Sequence, residues 1–208
     1  MKKILASTTI ILSLIGITGG VSFALFGPHN DTYVSAAKER KKHNGLLPAA
    51  TIDEVITKSE IIAKLKITKL VKVHEEQGQQ YSEFEAEVEK YYKDKTGKLS
   101  ETVRFFQHGS PEADFIQDPL LEENKKYVLF LDEVDTGTQE FGKALIMTNG
   151  AYGRFNIDGD SVVAQLKHIT DEEKRAGKRF QDEKIKPDPM KYSDFEKLLS
   201  EKMNKKSN

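Results

Sequence analysis

The 208-residue chain has no cysteine and no tryptophan. Without cysteine there is no disulfide, no thiolate metal site and no thiol nucleophile, so the fold must be held by packing alone. A lipid-modified cysteine, and with it a bacterial lipoprotein, is excluded as well. The lack of tryptophan removes one stacking platform for carbohydrate, although seven tyrosines remain. Neither sign of charge is in excess. Lys and Arg number 32 against 33 Asp and Glu, a formal net charge of −1 that is unlike the basic face of a nucleic-acid binder. Also missing are a His-Glu-x-x-His metalloprotease pattern, a nucleophile elbow and a phosphate-cradling glycine loop. Carboxylates are scattered so widely that none is singled out as a general acid or base. No catalytic residue, no metal ligand set and no cofactor is expected, and the chain reads as a non-enzyme.

The most specific feature present is the amino terminus. Lys2 and Lys3 precede an uncharged run from Ile4 to Phe26. Basic residues followed by an apolar run and a polar stretch form an export signal. Val34-Ser35-Ala36 before Ala37 offers small residues where a signal peptidase reads, so residues 1–36 are expected to be removed. An uncleaved membrane anchor stays open, because about 20 apolar residues are enough to span a bilayer. The expected location is extracellular or at the cell surface.

The roughly 170 residues that follow suffice for one domain with a core and a tail. Residues 37–50 are basic, then small, with Gly45 and Pro48, and read as a linker. Thr51 and Glu54 fit a capping box that starts a short helix ending by Ser59. From Ile61 to Val73 apolar residues recur every second position. Ile61, Ala63, Leu65, Ile67, Val71 and Val73 share one face, with Lys69 the exception. Phe84, Ala86, Val88 and Tyr92 repeat this against Glu83, Glu85, Glu87 and Glu89. The two runs are expected to pair as an antiparallel hairpin turning at Gly78, since a one-residue slip would bury the glutamates. One register that meets this condition sets Lys72 opposite Glu83 and Lys66 opposite Glu89.

Further strands are expected over Leu99–His108, Tyr127–Leu131 (covered on both faces), Ala144–Thr148 and Ala151–Ile157. Asp158-Gly159 is a hairpin signal that returns the chain as Ser161–Leu166. Thr170 and Glu173 cap a polar helix, which Pro187 and Pro189 break. Ser193 and Glu196 cap a last helix with Phe195, Leu198, Leu199 and Met203 on one stripe, expected to dock on its own domain.

The strings IIAKLKI (61–67), QHGSPEADF (107–115), DPLLEENKKYVLFL (118–131) and NGAYGRFNIDGDSV (149–162) resemble an uncharacterised group of exported bacterial domains. That group is similar in turn to the tissue-inhibitor-of-metalloproteinase/netrin type of OB-like barrel. The resemblance implies a fold for residues 51–165 and is nearly silent on function. Asn124 stands where the group usually has Gly. Inhibitors of that type insert a disulfide-bonded amino-terminal Cys at a protease zinc, which this chain cannot do. The pattern read from the residues also suggests a mostly β protein. The expected architecture is a small OB-like antiparallel barrel over 51–166 with a short leading helix, followed by a charged helical tail over 167–208.

Several residues bear on a ligand. His74 and His108 read as ordinary polar residues at strand ends, not as metal ligands. Asn156, Asp158 and Asp160 alternate oxygens across a glycine but lack the distal Glu and the glycine position of a calcium loop, so the turn reading is preferred. Asp132, Glu133 and Asp135 read as a charged strand end. Phe105 and Phe155 are expected in the core, with Arg104 and Arg154 solvated. Tyr152 and Arg154, with Arg104, are the candidates for partner binding, since Gly150 and Gly153 admit a close backbone. The expected role is a non-catalytic binding module for an extracellular or envelope protein, with no nucleic acid as partner. The rivals are a loop-built hydrolase or metal-dependent enzyme and a membrane-tethered structural protein. Convergence of His74, His108 and a carboxylate in one pocket would favour the enzyme.

Overall fold

The computed structural model describes residues 41–43, 47–76, 78–98, 100–135, 142–179 and 187–204, all within the unit Ala37–Asn208. The expected export segment, its Val34-Ser35-Ala36 site and His29 lie outside the described residues, as do Leu99 and Phe180. Among the described residues no helix is long and apolar enough to cross a membrane. In chain order the elements are β1 (Lys41–His43), α1 (Ile52–Lys58), β2 (Ile61–Glu76), β3 (Gln79–Asp94), β4 (Thr102–His108), β5 (Ala113–Phe115), β6 (Lys126–Asp135) and β7 (Lys143–Met147). A 3₁₀ turn at Gly150–Gly153 precedes β8 (Arg154–Asp158), β9 (Ser161–Ala164), α2 (Asp171–Arg175), β10 (Met190–Lys191) and α3 (Tyr192–Asn204).

The protein is mostly β, with a short leading helix and a carboxy-terminal one. Eight strands form one sheet in the order β10-β9-β8-β6-β2-β3-β4-β7, and β7 also pairs with β6. Strands β6-β2-β3-β4-β7 therefore run as a partial ring. Its joints are antiparallel ladders of several residues, except β4–β7, which is parallel and held at the single pair Phe106–Ile146. β1 and β5 form a separate parallel pair.

The β2–β3 hairpin forms as the alternating pattern requires, with two departures in detail. Lys72 faces Glu83, but Lys66 faces Glu87 instead of Glu89. Bulges between Ile67 and Lys69 and between Leu70 and Lys72 shift the register. Each extra residue also flips the faces beyond it. Past Ile67, the partly buried Leu70 packs on the interior and His74 is buried, and neither Val71 nor Val73 joins the core. A further shift between Lys64 and Leu65 turns Tyr91, not Tyr92, toward that core. Glu89 is left to pair with Lys64 at 3.1 Å and Lys126 at 2.5 Å. Such half-exposed pairs add about 0.2–1 kcal/mol each, against about 1.5–3 kcal/mol for each buried aliphatic side chain. Apolar burial therefore sets stability, and charge complementarity tunes pairing.

Two cores lie on opposite faces of β2 and β6. Inside the ring Ile61, Ala63, Leu65 and Ile67 meet Phe84, Phe105, Tyr127, Leu129 and Leu131. Outside it Ile62, Val128 and Phe130 meet Val55 and Ile56 of α1, Phe155 of β8, and Phe195 and Leu199 of α3. The continuous apolar run of β6 is thus covered on both faces, as expected, and the α3 stripe docks on its own domain. α1 carries the expected capping box and ends at Ser59, whose hydroxyl donates to the Val55 carbonyl at 2.6 Å. α2 carries its capping box too, and none of its residues is buried.

Three boundaries differ from expectation. Residues Gly150–Gly153 form a 3₁₀ turn, not the start of a strand, because Asn149 (φ 53°) and Gly150 (φ 58°) both take the left-handed region. Asp158 pairs with Ser161, so the tight turn is Gly159-Asp160, with Gly159 at φ 57°. α3 begins at Tyr192, whose N–H donates to the Asp160 carbonyl at 2.8 Å, and Ser193 is already helical. Asn124, placed where the resembling group has Gly, sits at φ 63°. That conformation favours Gly or Asn, so the departure keeps the backbone requirement.

Gly153 packs against its own chain. A Cβ there would stand 2.6 Å from the Thr148 carbonyl oxygen and 3.0 Å from that of Phe130. Gly153→Ala is expected to destabilise the protein by about 1–3 kcal/mol in urea unfolding, because backbone must move. Phe195→Ala is expected to cost about 3–5 kcal/mol, with α3 released from β8. A change below about 0.5 kcal/mol would show that α3 is not part of the outer core.

Candidate functional site

The ring is least closed at the β4–β7 joint, and a cavity of about 560 Å³ opens beside it. A volume of this size suits a small molecule. Its walls are largely apolar: Leu47, Phe106, Phe115, Val134, Ile146 and Met147. The polar contributions come from Tyr81, Gln107, His108, Gln117, Glu76 and Asp118, and among the described residues no Lys or Arg lines it. Ile116, 48 % exposed, stands between the lining residues Phe115 and Gln117.

Each polar group is positioned by a traceable local cause. Gln107 has the same strand parity as Val103 and Phe105, so it points inward, where it is 2 % exposed. There it replaces missing strand partners. Its Nε2 donates to the Asp118 side chain at 3.0 Å, the Asp118 carbonyl at 3.3 Å and the Pro119 carbonyl at 3.0 Å, and its Oε1 accepts the Leu121 N–H at 3.0 Å. The loop before β6 is thereby fastened to β4. Leu47 is brought to the cavity by its own N–H, which donates to Gln117 Oε1 at 3.2 Å.

Asp118 is 5 % exposed. Burial pushes its carboxyl up to about 6, against the opposing pull of Arg154 and of the hydrogen bond from Gln107. Arg154 is 4 % exposed and lies 3.9 Å from Asp118 Oδ1. It donates to the Pro119 carbonyl and to Asn156 Oδ1 (3.0 Å), and its guanidinium lies 5.0 Å from the centre of the Tyr127 ring. His108 ends β4 with its ring 4.3 Å from Tyr81 and 5.7 Å from Phe115, and burial lowers its pKa. A smaller cavity of about 320 Å³ shares His108 and Phe115 on the side of the β2–β3 turn.

Compared with protein-family models, with curated proteins and with solved structures, the chain finds no match. None of the three identifies the metalloproteinase-inhibitor/netrin-like or OB-fold superfamily.

The residues singled out from the sequence fall in different places. Tyr152 is 1 % exposed and lies in the outer core, with its carbonyl oxygen 3.0 Å from His168 Nε2. Arg154, expected to be solvated, is buried, because β8 places it beneath the loop at Pro119. Arg104 is exposed on β4 and pairs with Glu85 at 2.8 Å and Glu83 at 3.4 Å. Phe105 and Phe155 are core residues, as expected. His108, Glu76 and Asp118 converge on the cavity, whereas His74, 8 % exposed and not at a strand end, bonds Glu83 at 2.9 Å. Among the described residues no three His, Asp or Glu side chains are grouped to hold a metal ion. Asn156 is spent on Arg154, Val163 and Gln165, and Glu133 pairs with Lys143 at 2.9 Å. Asp118, Gln107, Gln117 and Leu47 were not singled out from the sequence. The inward parity of Gln107 was a usable signal; nothing local marks Asp118.

Asp118 and His168 set opposing pH dependences. His168 stacks on Phe155 at 5.5 Å, and burial lowers its pKa to about 4. A lowered histidine value stabilises fully above about 6.5 and loses that contribution as pH falls toward 4. A raised carboxyl value stabilises fully below about 3.8 and loses it as pH rises through 6. Between pH 4 and 6 the two offset each other. Relative to wild type, Asp118→Asn is expected to lose about 2 kcal/mol more on going from pH 7 to 4, and His168→Gln to gain a similar amount. Urea midpoints across that range measure both, and parallel curves would refute the assignment.

Proposed function

We propose that this protein is an exported, non-catalytic binding module, and that its ligand is a small, mostly apolar molecule lodged in the cavity beside the β4–β7 joint. The observation that carries the reading is an apolar cavity of about 560 Å³ with a buried acid, Asp118, in its wall. A few polar groups in a mostly apolar concavity give a ligand its orientation. The expectation from sequence of a protein partner held by Tyr152, Arg154 and Arg104 has less support, since the Tyr152 and Arg154 side chains are buried and Arg104 is paired with Glu83 and Glu85.

We also read the ring as OB-like. What supports this is the strand order: taken in chain order, its strands β2, β3, β4, β6 and β7 close as first-second-third-fifth-fourth-first, with a parallel third–fifth joint. Five strands in a partly open Greek-key barrel fit such a fold. The non-catalytic reading is supported by the surroundings of His108. Among the described residues no carboxylate is hydrogen-bonded to it, so it lacks the partner that orients a general base. Export rests on the Lys2–Phe26 segment.

Binding of N-phenylnaphthylamine by the whole chain, followed by its fluorescence, is the direct test. Saturable binding is expected, weakened about tenfold or more by Ala144→Phe, whose ring would occupy the cavity. No binding, or binding indifferent to Ala144→Phe, would refute the pocket. Mass spectrometry of the chain from its native cells is expected to find Ala37 as the first residue. Retention of Met1 to Ala36 would favour the tethered form.

A further inference from the structure

Resting on the reading of this cavity as a binding site, we infer that its ligand is an uncharged, mostly apolar alcohol whose hydroxyl donates to Oδ2 of Asp118. The two oxygens of that carboxylate are not equivalent. Oδ1 takes the hydrogen bond from Gln107 at 3.0 Å and lies 3.9 Å from the Arg154 guanidinium. Among the described residues no group donates a hydrogen bond to Oδ2. This second oxygen faces Gly150: a Cβ built there would lie 3.6 Å from Oδ2 and 3.2 Å from Leu47 Cδ1. Gly150 and Leu47 both line the cavity. A glycine is also required at φ 58°. The same residue that permits the turn therefore leaves the path from the cavity to Oδ2 open. Oδ2 is not among the buried side-chain atoms left without a partner, so it is open to the cavity, where a ligand donor can take the place of solvent on it.

The two glutamines beside Asp118 are already engaged. Gln107 uses its amide nitrogen on the loop and its oxygen on Leu121. Gln117 Oε1 accepts from Leu47. The head group that Oδ2 can receive is therefore a donor.

Charge narrows the class. Among the described residues Glu76 and Asp118 line the cavity and no Lys or Arg does, so a carboxylate ligand meets like charge there. An ammonium would lose its hydration in a mostly apolar cavity beside a carboxylate that Arg154 already compensates, with only the half-buried Glu76 left to attract it. A neutral donor leaves the Asp118–Arg154 pair balanced. It also favours the ionised carboxyl, so binding should draw the Asp118 pKa down from about 6.

Calorimetric titration of the whole chain at neutral pH with decanol, decanone, decylamine and decanoate tests this on one apolar body. Decanol is expected to bind about tenfold or more tightly than each of the others, the factor appropriate to one hydrogen bond to a charged group. Asp118→Asn provides the second arm. Its amide oxygen would remain on Gln107 and its NH₂ would replace Oδ2, so the cavity would present a donor. The preference for decanol over decanone is then expected to vanish. The carboxyl carbon signal of Asp118, followed by NMR, should titrate at lower pH in the decanol complex. Equal binding of all four probes, or tighter binding of the amine or the acid, would overturn the alcohol assignment and leave the pocket as a binding site. Failure of every probe, N-phenylnaphthylamine included, would overturn both. The wild-type ranking requires no variant, so the inference is decided even where Asp118→Asn fails to fold.

Discussion

The pairing of Ile61–Lys66 with Lys126–Leu131 is the constraint on which the rest of the structure depends. These segments of β2 and β6 form the wall between two cores, and their apolar side chains are buried on both faces. Residues of one parity close the ring interior, and those of the other anchor α1, β8 and α3. Because both faces are covered, the backbone groups of this wall have no access to water and must be satisfied by the ladder. Loosening it would expose both cores together. The mainly exposed ion pairs on β2, β3 and β4 decorate this arrangement without determining it.

The ring closes poorly where β4 and β7 run parallel, and a single residue pair spans the joint. Backbone groups that a longer ladder would satisfy are met there by side chains. Gln107 holds the loop at Asp118–Leu121, and Arg154 ties the same loop from below through the Pro119 carbonyl. Burying Arg154 requires a compensating anion, and Asp118 supplies it. One polar network thus fastens a loop, balances a buried cation and places an acid in the wall of an apolar cavity. Structural and binding roles share the same atoms, which makes the network sensitive to loss of any member.

Much of the β framework was legible from local pattern. The alternation in Ile61–Ile67 and Phe84–Val88, the continuous run Tyr127–Leu131 and the capping boxes at Thr51 and Thr170 each have one low-energy solution, because the pattern names the faces and the caps name the boundaries. Bulges were not legible. Extra residues at Ile67–Lys69 and opposite Lys64–Leu65 leave no mark in a two-residue period until the partner strand is known, so Leu70 and Tyr91 took the places expected of Val71 and Tyr92. Nor did the sequence show that Arg154 is buried, since a lone arginine beside an aromatic ring is more often solvated.

The chain by itself determined where the long strands β2, β3 and β6 run, which of their faces begin apolar, and that no covalent staple assists them, since those properties are set by neighbours within a few residues. The candidate site was decided only by tertiary structure. Leu47, Gln107, Asp118 and the Gly150–Arg154 stretch lie far apart along the chain, and Leu47, Gln107 and Asp118 are unremarkable where they stand in the sequence. Their joint chemistry arises from burial, since an acid acquires an unusual affinity for protons or donors only after the fold has removed water from around it.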